Sequence, residues 1–115
     1  LSGKMYQKII EDLLKKGWEI TIYFLWIPSI EFSIQRVKER VMQGGHNIPE
    51  DALVRRYNRS IVNLMQIYVL LPCKVYCLDN TQNIPSLVFH SQNGKITVLS
   101  KPIMQKIKNE IKKNS

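Results

Sequence analysis

The 115 residues carry 44% hydrophobic and 23% charged side chains, which fits one folded domain and excludes a disordered or fibrous chain. Seventeen Lys and Arg against nine Asp and Glu leave a net charge of +8, which favours phosphate-bearing or otherwise anionic partners. No apolar run approaches the ~20 residues of a membrane span, no secretory leader is visible, and two cysteines are too few for a disulfide scaffold, so the expected compartment is the reducing cytoplasm.

Residues 2–16 read as a helix. Tyr6, Ile9, Ile10, Leu13 and Leu14 recur at three- and four-residue spacing, Ser2 stands at the N-cap, and Gly17 is the stop. Residues 18–26 are aromatic and β-branched, and nearly unbroken in apolar character from Ile20. That pattern predicts a strand covered on both faces, as in a parallel sheet. Pro28-Ser29 opens a second helix with Ile30, Ile34, Val37 and Val41 on one stripe, and Gly44-Gly45 ends it. His46-Asn47-Ile48 is a short loop. Pro49 suits the first turn of a third helix, with Glu50 and Asp51 where the helix dipole favours acids.

This third helix is expected to run to about Leu71, before Pro72, with Leu53, Tyr57, Ile61, Leu64, Met65 and Tyr68 inward. Residues 74–78 form a short strand closed by the turn Asp79-Asn80. Residues 86–90 and 95–99 flank Gln92-Asn93-Gly94, a hairpin signal. Ser100 caps a last helix with Ile103, Ile107 and Ile111 inward. A buried strand, two helices and a second buried strand make an α/β crossover. Two parallel strands and a hairpin are a thin sheet, so the expectation is a single partial domain over 1–115: half of a larger, three-layer α/β fold. The helical hairpin spans about 30–71, and the C-terminal hairpin and helix about 86–113.

All five arginines lie between Arg36 and Arg59, while the lysines are scattered apart from a C-terminal group. Arg36 and Arg40 share one helix face; Arg55, Arg59 and Asn63 form a stripe on the next, with Arg56 adjacent. Like charges four residues apart repel, so the stripe points either to an anion held between the helices or to a plain solvated basic face. His46 bonds a phosphate or caps the helix before it. Asp79-Asn80 sits at a strand's carboxyl end, where α/β folds place ligands, or is an ordinary turn. Cys73 and Cys77 read as small core residues and His90 as structural; no metal set is formed. There is no G-x-x-x-x-G-K-[ST], and Ser2-Gly3-Lys4 has no glycine upstream to make one.

Gly44-Gly45-His46-Asn47-Ile48-Pro49-Glu50, followed by Arg55-Arg56-Tyr57-Asn58-Arg59-Ser60 and Asn63, resembles the zeta-toxin-like P-loop kinases, also described as predicted ABC-type ATPases. Leu1-Ser2-Gly3-Lys4, the strand ending in Trp26-Ile27-Pro28 with Glu31, the run from Arg36 to Val41, and Asp79-Asn80-Thr81 extend the likeness over about residues 1–89. The resemblance implies a phosphoryl-transfer fold that binds ATP with Mg²⁺, and phosphorylation of a small molecule such as a UDP-N-acetyl sugar. It makes residues 30–71 a lid and assigns Arg40, Arg55, Arg56 and Arg59 to the nucleotide phosphates. His46 would order the lid turn, and Asp79 and Asn80 would lie near the adenine.

The Walker loop and the presumed catalytic acid of that family match nothing in these residues. The expectation is therefore a fragment, a truncated reading frame or one part of a split protein, inactive alone. Its expected partners are the missing N-terminal half, an antitoxin, or a second copy of the chain. The composition disfavours nucleic acid, because the arginines cluster in one hairpin and no recognised nucleic-acid motif is present. A small basic nucleic-acid-binding module and a non-catalytic interaction protein stand as the alternatives.

Overall fold

The computed structural model describes residues 3–45 and 47–114. The expected cap Ser2 and the loop residue His46 lie outside them. The chain runs α1 (Lys4–Lys15), β1 (Thr21–Trp26), α2 (Ile30–Met42), α3 (Glu50–Gln66), a 3₁₀ turn (Tyr68–Leu70), β2 (Lys74–Asp79), β3 (Ser86–Gln92), β4 (Lys95–Val98) and α4 (Lys101–Asn114).

Two helix ends are set by the same device. Gly17 at φ +88° lets Trp18 N–H reach back to the Leu13 carbonyl and Gly17 N–H to that of Leu14, closing α1. At α2, Gly44 at φ +90° puts Gly44 N–H on Val41 and Gly45 N–H on Arg40. Gly45 is required for a different reason: a Cβ there would lie 2.8 Å from the Arg40 carbonyl oxygen. The third helix stops at Gln66, short of the expected Leu71, because the chain tightens into the 3₁₀ turn that buries Tyr68 and Val69.

The sheet has the order β1-β2-β3-β4. β1 and β2 are parallel, joined by the α2–α3 crossover, and the remaining pairs are antiparallel. Asn93 (φ 53°) and Gly94 (φ 82°) form the two-residue turn between β3 and β4, the left-handed pair that matches strand twist. A bulge at Cys77/Leu78 shifts the β2–β3 register by one residue.

One face of the sheet carries Ile22, Trp26, Val75, Cys77 and Phe89, all buried against Ile61, Leu64 and Tyr68 from the α3 segment and Met104 and Ile107 from α4. Ile10 of α1 joins the same cluster, with Leu14 packed beside it. Each fully buried aliphatic side chain contributes about 1.5–3 kcal/mol relative to exposure. The opposite face carries Thr21, Tyr23, Leu25, Lys74, Tyr76, Leu78 and His90, none of them buried.

One expectation is corrected here: β1 alternates in exposure instead of being covered on both faces, because the helices that reach the sheet all pack on one side of it. The described residues form two layers, the sheet and its helices. Val41 departs from its predicted inward stripe and is exposed. The α/β class, the parallel crossover and the C-terminal hairpin stand as read from the sequence. Among the described residues, no helix is long and apolar enough to cross a membrane.

Candidate functional site

The carboxyl ends of β1 and β2 lie side by side, because Trp26 pairs with Asp79. Asn80 N–H extends the ladder by donating to the Trp26 carbonyl at 2.8 Å. From α2, Arg36 Nη2 donates to the Asn80 carbonyl at 2.5 Å. The Asp79 carboxylate turns inward on its own loop: Oδ1 accepts from the Thr81 N–H at 3.0 Å and from the Thr81 hydroxyl. This local turn is the ordinary chemistry of an Asp at a strand end.

Beside the end of β1, a cavity of about 220 Å³ opens between the strand and α3. Phe24, Trp26, Ser33, Arg56, Tyr57 and Ser60 are among its walls. Helical spacing explains the α3 contribution, since Leu53, Arg56, Tyr57 and Ser60 all fall on the side turned to the strand. Trp26 is 3% exposed, and its indole N–H has no acceptor among the described residues. An unpaired buried donor costs about 1–3 kcal/mol.

Tyr57 donates its hydroxyl to the Ile27 carbonyl at 3.2 Å. Burial, and then the negative charges of Glu110 and Glu31, push this hydroxyl up to about 12, so it remains a neutral donor at physiological pH. Glu31 is held below the usual carboxylate range by its own backbone N–H at the start of α2 and by the Ser29 hydroxyl, with Lys113 adding a smaller attraction. The carboxylate is therefore ionised, and its charge complements the helix N-terminus.

The arginines do not form one cluster. Arg56 lines the cavity. Arg36 is fixed on Asn80. Arg55 and Arg59 are exposed one turn apart on α3, rotated away from the strand side; adjacent helix positions differ by about 100°. Arg40 is exposed in the last turn of α2, where its carbonyl receives the Gly45 N–H at 2.6 Å. Between α2 and α3 an apolar cleft of about 550 Å³ is lined by Ile34, Val37, Met42, Ile48 and Leu53.

Among the described residues, no group of three or more His, Cys, Asp or Glu is placed to hold a metal ion. Cys73 and Cys77 are buried, free thiols. The sequence reading did not single out Trp26, Ser33, Tyr57 or Ser60 as site residues. Tyr57 and Ser60 were findable, since they lie one and four positions after Arg56. Trp26 and Ser33 required the packing of α3 on β1. Comparison with protein-family models, with curated proteins and with solved structures finds no match to this chain.

Proposed function

We propose that the chain is the lid-bearing, C-terminal part of a zeta-toxin-like ATP-dependent phosphotransferase acting on a small molecule such as a UDP-N-acetyl sugar. The observation that carries this reading is the cavity at the carboxyl end of the parallel pair, with Arg56, Tyr57 and Ser60 presented to it from a helical hairpin. A guanidinium fork and neutral hydroxyl donors are the groups that bind a phosphate and neutralise charge as it develops. In this reading Arg56 is the principal phosphate ligand, and Arg40, Arg55 and Arg59 engage the nucleotide only if the hairpin moves over it. Arg36 holds α2 to the end of β2 and positions the hairpin. Asp79 and Asn80 border the nucleotide. The residues present fit ATP's phosphates; no Mg²⁺ ligand set is assigned to them. Because no phosphate loop occurs in these 115 residues, they are proposed to be inactive by themselves.

The test is the coding sequence ahead of the Leu1 codon, followed by a phosphotransfer assay on the polypeptide it specifies. A strand and a G-x-x-x-x-G-K-[ST] motif within about 100 residues is the expected finding for half of one domain. In the longer polypeptide, Arg56→Ala lowers kcat on the order of 10³-fold, the loss typical of a charge-stabilising arginine. An extension with no phosphate loop, or an Arg56→Ala enzyme of undiminished rate, overturns the proposal. Titration of the 115 residues with ATP and Mg²⁺ is expected to give weak or undetectable binding.

A further inference from the structure

The helix-free face of the sheet has an order that composition does not reveal. Its residues fall in three rows that cross the strands. Thr21, Lys74, Gln92 and Lys95 are paired in one row; Tyr23, Tyr76, His90 and Thr97 in the next; Leu25, Leu78 and Leu87 in the third. Rows two residues apart along a strand are about 6.6 Å apart. A basic row therefore runs parallel to an aromatic row at the distance of one step of a sugar-phosphate chain.

The aromatic row is already a stack. The Tyr23 and Tyr76 rings lie 5.3 Å apart and 14° from parallel, and His90 continues the row 6.1 Å from Tyr76, tilted by 37°. Tyr23 is 69% exposed, and β1 is the edge strand, so no neighbouring strand covers the outer face of its ring. Trp18, 63% exposed, adds a further free aromatic at the other end of β1, in a cleft shared with Glu19, Lys74, Gln92 and Asn93. No carboxylate occupies any of the three rows, in a chain of net charge +8.

We infer that this face is a stacking platform for single-stranded nucleic acid. An unpaired base stacks on the free outer face of Tyr23, extending the Tyr23–Tyr76 pair, while the neighbouring phosphates reach Lys74 and Lys95. Exposed rings on an open sheet face hold single strands in this way because every base has a π-face, and basic side chains beside the rings bind the backbone. Charge complementarity argues against an apolar protein partner, since Lys74 and Lys95 would be buried without counter-charges. A duplex is disfavoured because its bases are already stacked on one another. The site uses neither Arg56 nor the cavity beside α3, but it needs the helix-free face open, so a longer polypeptide whose added segments cover that face would lack it.

The test is fluorescence anisotropy of the intact chain with a labelled oligouridylate, an oligothymidylate and a hairpin duplex, each across a salt series. Single strands are expected to bind more tightly than the duplex. Tyr23→Ala and Tyr76→Ala each weaken single-strand binding about five- to one-hundred-fold, and Tyr23→Phe restores it. Lys74→Ala and Lys95→Ala each reduce the salt slope by about one, whereas Tyr23→Ala leaves the slope unchanged. Tyr23→Ala is the primary variant because so exposed a ring contributes little to folding; an unchanged urea midpoint verifies this. Absence of binding at low salt overturns the inference. So does a Tyr23→Ala chain that binds as tightly as the parent, equal affinity for duplex and single strand, or a parent dimer that Tyr23→Ala converts to monomer.

Discussion

Cys77 makes the stability of this fold sensitive to alkali in a way that can be calculated. Its thiol is fully buried in the centre of β2, and burial, followed by the nearby Asp79 carboxylate, pushes it up to about 12. In the unfolded chain the same thiol titrates near 8.5–9. The folded state therefore holds the proton more tightly than the unfolded state. The resulting stability is fully present below the unfolded value and is lost as pH rises towards the folded one. Between pH 8 and pH 10 the unfolded thiol becomes mostly thiolate while the folded one stays protonated, which lowers stability by about 1 to 2 kcal/mol.

The assay is urea unfolding of the parent and of Cys77→Ala at both pH values. The void left by the substitution costs about 1 kcal/mol, a contribution that does not itself depend on pH. Every other ionisable group is common to both proteins, so the difference between their pH slopes isolates Cys77. The variant is expected to lose about 1 to 2 kcal/mol less than the parent on going to pH 10. Identical slopes would refute the burial argument for this strand.

Other outcomes follow from particular contacts. Gly45→Ala forces a Cβ to within 2.8 Å of the Arg40 carbonyl and is expected to destabilise the chain by about 1–3 kcal/mol, while Gly3→Ala, which meets no atom within 4 Å, is expected to be nearly neutral by chemical denaturation. Leu64→Ala removes a side chain with no exposure and should cost about 2–5 kcal/mol, whereas Leu70→Ala, at a residue 66% exposed, should stay within about 0.5 kcal/mol. Arg36→Met removes the guanidinium donor to the Asn80 carbonyl and is expected to cost about 1 kcal/mol; faster amide exchange around residues 79–81, without global unfolding, would mark it as a local clamp.

The elements themselves were legible because their signals are local. Gly17, Gly44 and the Asn93-Gly94 pair each supply a positive φ that few other residues tolerate, and the chain ends a helix or turns a hairpin at each. Ile10, Ile61, Leu64 and Ile107 repeat at helical spacing and are buried where that spacing placed them. The parallel pairing of β1 with β2 followed from the length of the crossover between them. The tertiary structure decided what surrounds each element. An apolar run from Ile20 to Ile27 looks the same whether helices cover one side of a sheet or both, so the open face was hidden. Arg55 and Arg56 are neighbours in sequence and both exposed, yet of the two Arg56 lines the cavity beside β1, because adjacent helix positions differ by about 100°. The row Tyr23, Tyr76, His90 draws on three strands far apart in the chain, and a one-residue slip in either register would have dispersed it. Spacing along one strand or helix is written in the sequence; adjacency between strands is a property of register, which only the packed sheet fixes.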